Sequence, residues 1–413
     1  MALANFVEHF MLRYEDRFYK TNVSSKIANY RTEPLLKYGE SVTRTKLNMS
    51  AVRVRSYTNG SDMTIDALSD AEELMTVNVK IGAAFSLPES DRVQAGPYDP
   101  AMEAGADMAT KVSNHLDAVV LAETRNAFAD FDTGCLTGGV ANGTPFIINS
   151  TTTPQMVTMT KAKLSANNQS MTNVCWVLDP VSIGLIAQYP IGKDITTENT
   201  VLKNGFSGNI YGAKIYESNN LTGEAVITTT GNFSDGETFV ITAPSGTAIT
   251  FTAKTTLGTT TGNFLVGGSD AEADLAVLKN FMNDPTTTSA NQRALTGDAL
   301  IAFQDELRIG SSVPNGVAVA STATTLTLVA VGSSRLNVTE TAANASWSKQ
   351  FVHAFYGQAG SIDVAVQQKP NVLETQEAKQ FTKNYLINHT AAVKTFYDGS
   401  QGFLDVLISS AAS

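Results

Sequence analysis

At Leu221 the chain abruptly becomes dense in Thr and Gly, and at Trp347 it reverts to the character of its first half. A polypeptide that leaves one composition and returns to it is most simply an older domain carrying an insertion whose two ends lie close in space. Within residues 223–346, apolar side chains alternate with period two at 225–229, 238–242, 248–253 and 263–266, which is strand patterning. Ser269-Asp270 is a helix start for a stretch running to Asn283, 298–307 reads as a second helix, and 317–320 and 325–331 return to strand. Between Glu224 and Trp347 there are eleven acidic and five basic residues, so at least one face of the insert is expected to be solvated.

The flanking sequence has a different logic. Leu3, Phe6, Val7, Phe10, Met11, Tyr14 and Phe18 fall on one face of a helix over 2–19. This helix has no adjacent local partner before Pro34, so another surface must cover its aromatic stripe. Residues 41–57 and 73–82 both alternate, with a polar Asn59-Gly60-Ser61 tip between them, and predict a projecting two-stranded arm. Residues 97–130 predict one long helix: Asp99-Pro100 starts it, and Met108, Val112, Leu116, Val119 and Val120 make its apolar stripe. A turn-rich run at 134–154 follows, then helix (156–166), strand (174–178) and a helix (180–188) opened by Asp179. After the insert, 362–367, 384–390, 392–397 and 403–408 read as strands. The fold class is α+β, and 413 residues with 43% hydrophobic content can bury a sizeable core.

Only 16% of residues are charged, against roughly 25% in an ordinary soluble domain, which points to a surface that meets other protein. The net charge of −10 excludes nucleic-acid binding by bulk electrostatics. Charge is uneven, however: residues 1–60 hold ten Lys or Arg and five acids. These ten, Arg44, Lys46, Arg53 and Arg55 among them, either make ordinary local pairs, as Arg13 and Arg17 would beside Asp16, bridge to an acidic neighbouring subunit, or face nucleic acid. No apolar run is long enough to cross a bilayer, and the first twenty residues lack the order of a secretory leader, so neither membrane insertion nor export is expected.

Catalytic patterns are missing. Gly192-Lys193 is followed by Asp194, which is no phosphate-binding loop, and there is no GxSxG, HExxH or CxxC. Cys135 and Cys175 fit neither a disulfide framework nor zinc spacing. His9, His115, His353 and His389 are scattered, and His115 falls near the long helix's apolar stripe, as a buried structural histidine would. A His-Ser-Asp constellation could still be assembled by the fold. Asp270, Glu272 and Asp274 lack the glycine and terminal Glu of a calcium loop and suit a helix N-terminus instead. No catalytic, metal or cofactor residue is assigned.

Two segments carry a resemblance. Residues 174–187 (VCWVLDPVSIGLIA) are a hydrophobic strand ending in Asp-Pro and then a helix; residues 204–221 (NGFSGNIYGAKIYESNNL) lead through spaced glycines into a strand ending in Ser-Asn. This pattern, in this order, resembles the central region of tailed-bacteriophage major capsid (coat) proteins of the Hong Kong 97 type. The resemblance implies an N-terminal arm at 1–39, an extended loop at 40–82, a peripheral domain with a spine helix at 83–155, an axial domain beginning at 156–222, an inserted surface domain at 223–346, and a return at 347–413. It implies a shell-forming subunit that is not an enzyme, needs no cofactor and assembles as hexamers and pentamers. Portal, a separate scaffolding protein and decoration proteins would be its partners, with non-specific contact to packaged DNA and no membrane. Candidate contacts between subunits are Phe6, Phe10, Tyr14, Phe18, Arg44, Lys46, Arg53 and Arg55. The insert resembles, more loosely, small modules appended to phage surface proteins. The other reading is a phage or bacterial surface adhesin whose Thr-rich domain binds host glycans.

Overall fold

A computed structural model describes residues 22–31, 39–47, 69–88, 100–188, 209–210, 212–267, 270–309, 320–376 and 382–410, with residues 34, 36, 52–56, 58–60, 62 and 65–67 between the first blocks. The helix expected at 2–19 lies outside them.

The described chain begins with a single helical turn, α1 (Ser24–Ile27), and β1 (Ala28–Asn29). The carboxylate of Asp117 fixes this entry point by accepting the backbone N–H groups of Val23 and Ser24, both at 2.9 Å. Next come β2 (Ser41–Leu47), β3 (Asp70–Thr76) and β4 (Val79–Pro88). β2 and β3 pair antiparallel from Ser41↔Thr76 to Leu47↔Asp70. The expected ribbon is therefore present, but it is shorter than its patterning. Residues 52–56 are not strand, and the run expected at 73–82 is divided between two sheets. The division falls at Asn78, whose side-chain amide donates to the Val393 carbonyl and whose oxygen accepts the Val393 N–H, both at 3.1 Å. Beyond it, β4 pairs with β18 (Thr382–Lys394).

The long helix, α2 (Pro100–Ala122), covers 23 residues, or ~35 Å at 1.5 Å per residue. It stops short of the expected 130 because residues 123–126 tighten into a 3₁₀ turn and β5 (Asp130–Phe131) enters a sheet. Met108, Val112, Leu116, Val119 and Val120 are buried, as their spacing predicts. They pack with Val79, Ile362, Val364, Ile387 and Val393 in one core.

A second core gathers around α3 (Thr152–Ala166), β6 (Val174–Leu178) and α4 (Pro180–Gln188). Every residue of β6 is buried, which is why that strand reads as a continuous apolar run without alternation. Asp179 opens α4 by accepting the Ser182 N–H at 3.2 Å. After β7 (Asn209–Ile210) and β8 (Ala213–Glu217), β9 (Thr222–Thr229) leads into the Thr-rich stretch.

There β10 (Thr238–Thr242), β11 (Ala248–Lys254) and β12 (Asn263–Leu265) join β15 (Asn337–Glu340) in a four-stranded sheet. Helix α5 (Ala271–Asn283) lays Leu275, Leu278, Phe281 and Met282 into the core of this region. The buried members of that core all come from 225–345. The second helix of this region is α6 (Gly297–Ile301), which runs into a π turn at Ala302–Glu306. Strands β13 (Ala320–Ser321) and β14 (Thr325–Val331) then extend a nine-stranded sheet through β9 to β16 (Ala345–Gln358), β6, β8 and β7. The Thr-rich region thus enters by β9 and leaves by β16, which are neighbouring strands with Thr228 opposite Ser346.

The chain closes with β17 (Ile362–Gln376), β18, the turn α7 (Tyr397–Ser400) and β19 (Phe403–Ser409). The two strands expected at 384–390 and 392–397 are one continuous strand. Its alternation fails where Ala391, Ala392 and Val393 are buried in succession, because both faces are covered there.

Candidate assembly surface

The root of the β2–β3 ribbon is fastened to its own chain. Val42 packs against Leu36, Met75, Ala365, Ala392 and Phe396. Two and four residues further along the same strand, Arg44 pairs with Asp398 and lies 5.3 Å from the Phe396 ring, while the Lys46 ammonium stands over the Tyr397 ring. The Glu73 carboxylate accepts the Tyr397 N–H at 3.1 Å, and the Lys394 ammonium donates to the Leu74 carbonyl at 2.6 Å. Further out, the Asp66 carboxylate clasps the two sides of the loop, accepting the Arg53 N–H at 3.0 Å and a guanidinium N–H of Arg55 at 2.7 Å. Those two bonds hold the Asp66 carboxyl below the usual carboxylate range.

Around this clasp the apolar side chains point at solvent: Val54 is 103% exposed and Ile65 92%. A second open apolar patch lies across the β4–β18–β17 sheet. Leu373 stands opposite Leu386, which stands opposite Ala84, and all three are exposed on one face while Tyr385 and Ile387 are buried on the other. Large contiguous apolar patches mark surfaces that meet another protein, while single exposed apolar side chains are ordinary.

Of the eight residues singled out from the sequence, Arg44, Lys46 and Arg55 have partners within their own chain, and Arg53 joins the Asp66 clasp through its backbone N–H. Phe6, Phe10, Tyr14 and Phe18 lie outside the described residues. Sequence reasoning missed Asp66, Asp398 and Ile65. The two carboxylates act at 11 to 354 positions from their partners, a separation that local spacing does not register.

Of the possible His-Ser-Asp constellation, only a histidine with acids is found: His353 meets two carboxylates, and no serine hydroxyl bonds it among the described residues. His353 Nδ1 is 2.7 Å from Asp405 Oδ2, and its Nε2 is 3.2 Å from Glu224 Oε2. Arg125 reaches the same Glu224 oxygen at 3.5 Å. Burial alone would push the imidazole pKa down, but the two carboxylates outweigh it and raise it to about 9. With both nitrogens donating, the ring is an imidazolium with no lone pair to act as a base. Its role is to neutralise the buried Asp405 and the half-buried Glu224 where β9, β16 and β19 meet.

His115 is pushed down to about 4, by burial first and then by the charge of Arg308. Cys135 and Cys175 are buried free thiols. Of the acidic trio, Asp270 caps α5 through the Ala273 N–H at 3.0 Å, and Asp274 accepts the N–H groups of Phe233 and Gly267 at 3.1 and 3.2 Å. No group of three or more His, Cys, Asp or Glu able to hold a metal occurs among the described residues. No helix among them is long and apolar enough to cross a membrane.

No protein-family model and no curated protein sequence matches the chain. Solved structures do. The chain is similar to one in the asymmetric unit of the bacteriophage PhiM1 mature capsid, with a TM-score of 0.50 and 10% identity over 95% of this chain and 88% of that one. Further similarities are to a structure from Mycobacterium phage Che8, with a TM-score of 0.48 and 12% identity over 93% and 90%. For the capsid of cyanophage P-SCSP1u the TM-score is 0.47, with 10% identity over 95% and 89%. The fold is the Hong Kong 97-like capsid fold in its α+β form.

Proposed function

We propose that this chain is a major capsid protein, a subunit that self-assembles into the icosahedral shell enclosing the double-stranded DNA genome of a tailed phage. The observation that carries this reading is the likeness of fold along 95% of the chain to a subunit of the PhiM1 mature capsid. The assembly surface gives it a physical basis. Val54 and Ile65 on the ribbon, and Leu373 with Leu386 on the open sheet face, would be covered by neighbouring copies. Burying a Val or Ile side chain is worth roughly 1.5–3 kcal/mol, and six-fold and five-fold rings repeat that gain at every contact. The working divisions are those the resemblance implies: arm at 1–39, extended loop at 40–82, peripheral domain with the spine helix at 83–155, axial domain at 156–222, an inserted domain at 223–346, and a return to the axial and peripheral domains at 347–413. The inserted domain carries net negative charge and would be repelled by DNA, so it belongs on the outer face. A portal and a separate scaffolding protein would act with the shell, and decoration proteins would meet the inserted domain. The subunit's role is structural, in the virion, with no chemical step assigned.

Light scattering behind a sizing column tests this. The wild-type protein should elute as rings or larger particles. V54D combined with I65D should remain a subunit with an unchanged circular dichroism spectrum. Particles formed equally by the variant would remove the ribbon from the assembly surface, and a wild type that never exceeds monomer size would remove the function.

A further inference from the structure

The sequence holds four Asn-Gly dipeptides, and two of them fall among the described residues: Asn59-Gly60 at the tip of the ribbon loop and Asn142-Gly143 in the turn-rich loop before α3. In such a pair the glycine nitrogen can attack the asparagine side-chain carbonyl, because no Cβ on the glycine stands in the way. Solvent access does not distinguish the two sites, since all four residues are exposed. Backbone shape and crowding do not distinguish them either. Gly60 and Gly143 both lie in the left-handed region, at φ 90° and 71°, and nothing is within 4 Å of where a Cβ would stand on either.

A carboxylate does distinguish them. Asp132 is fully buried, and one of its oxygens accepts the N–H groups of both Asn142 and Gly143 at 2.6 Å. The Asn142 side-chain oxygen in turn accepts the Thr144 N–H at 3.0 Å. For the Gly143 nitrogen to attack, a charge-assisted hydrogen bond must break and an amide anion must form beside a carboxylate. In the ribbon loop the Asp66 carboxylate accepts instead from Arg53 and Arg55, and Asp62 is exposed to solvent. With Arg53 and Arg55 set against Asp62 and Asp66, residues 52–66 carry no net charge.

We infer that Asn59 is a site of spontaneous deamidation in the folded protein, and that Asp132 shields Asn142 from the same reaction. The Gly60 nitrogen gives up its proton and bonds to Asn59 Cγ, closing a five-membered succinimide. The Cγ–Nδ2 bond breaks, and that nitrogen leaves as ammonia with the proton. Water then adds to one of the two ring carbonyls and reopens the ring as aspartate or isoaspartate, so water is the only co-reactant. Each event puts a negative charge on a loop that carried none net, and the isoaspartate product lengthens the backbone by a methylene.

This chemistry requires no shell. Peptide mass spectrometry of the full-length protein, sampled during incubation at mildly alkaline pH, reads the replacement of amide by acid at each site, and fragmentation separates isoaspartate from aspartate. The same protein in guanidinium chloride supplies the unfolded rate of each dipeptide. In the folded protein Asn59 should stay within about tenfold of its unfolded rate and Asn142 should be slowed by more than that, the worth of a hydrogen bond to a charged group. The V54D and I65D double variant is measured beside the wild type, so that the outcome does not depend on whether other copies cover the loop. Conversion of Asn59 in that variant carries the assignment, with or without conversion in the wild type. An Asn59 slowed by more than about tenfold in the variant, or an Asn142 that is not so slowed, would overturn it. Should the variant not fold, the wild-type subunit fraction from the sizing column is read in its place.

Discussion

Single buried carboxylates organise much of the irregular chain. Asp132 accepts the N–H groups of Gly134, Asn142 and Gly143 at 3.0, 2.6 and 2.6 Å and so gathers a turn-rich loop around one side chain. D132A would orphan those donors and should cost about 3 kcal/mol of unfolding free energy, read from urea midpoints; a loss below about 0.5 kcal/mol would mean that water replaces the carboxylate freely. His353 makes a prediction in pH. Its folded-state pKa of about 9 lies above the ordinary 6.5, so its contribution is complete below pH 6.5 and is lost as pH rises through 9. The wild type should lose on the order of 3 kcal/mol over that interval, and H353Q should show a flatter profile from a lower starting stability. Parallel profiles for the two proteins would place the pH dependence elsewhere.

Among the elements, the ribbon joins a fixed root to an outer loop held by Asp66. Arg44 and Asp398 are both well exposed, so D398A should change stability by less than about 1 kcal/mol. It should nevertheless speed amide exchange across 41–47, as followed by mass spectrometry, because the root loses its lateral tie. Unchanged exchange would leave the apolar contacts of Val42 as the whole anchor. The sequence made α2 and the ribbon legible because an apolar period names a face. It could not name which partner that face meets. The alternation at 73–82 is unbroken although the strands on either side of Asn78 belong to different sheets, since period two is the same in both. Strand β6 is legible as a buried run, whereas the patterning splits β18 because its residues 391–393 are covered on both sides. The basic residues of the assembly surface could be picked out by charge, but Asp66 and Asp398 come to them only through the fold.

At the scale of the whole molecule, the Thr-rich region has its own core yet shares a sheet with the body through β9 and β14. Thr229 lies opposite Ala345, so a short Gly-Ser turn can replace 230–344 and keep the β9–β16 pair. The shortened chain should remain soluble and retain the strand content of the body by circular dichroism; aggregation would mean that β14 is needed to cover β9. The proposed shell requires more than a stable subunit: its open ribbon and sheet face must be satisfied by other copies. Electron microscopy of the purified full-length protein, expressed alone, tests that most directly. Closed shells, tubes or capsomer rings are the predicted result, and a monodisperse monomer that persists at high concentration would contradict it.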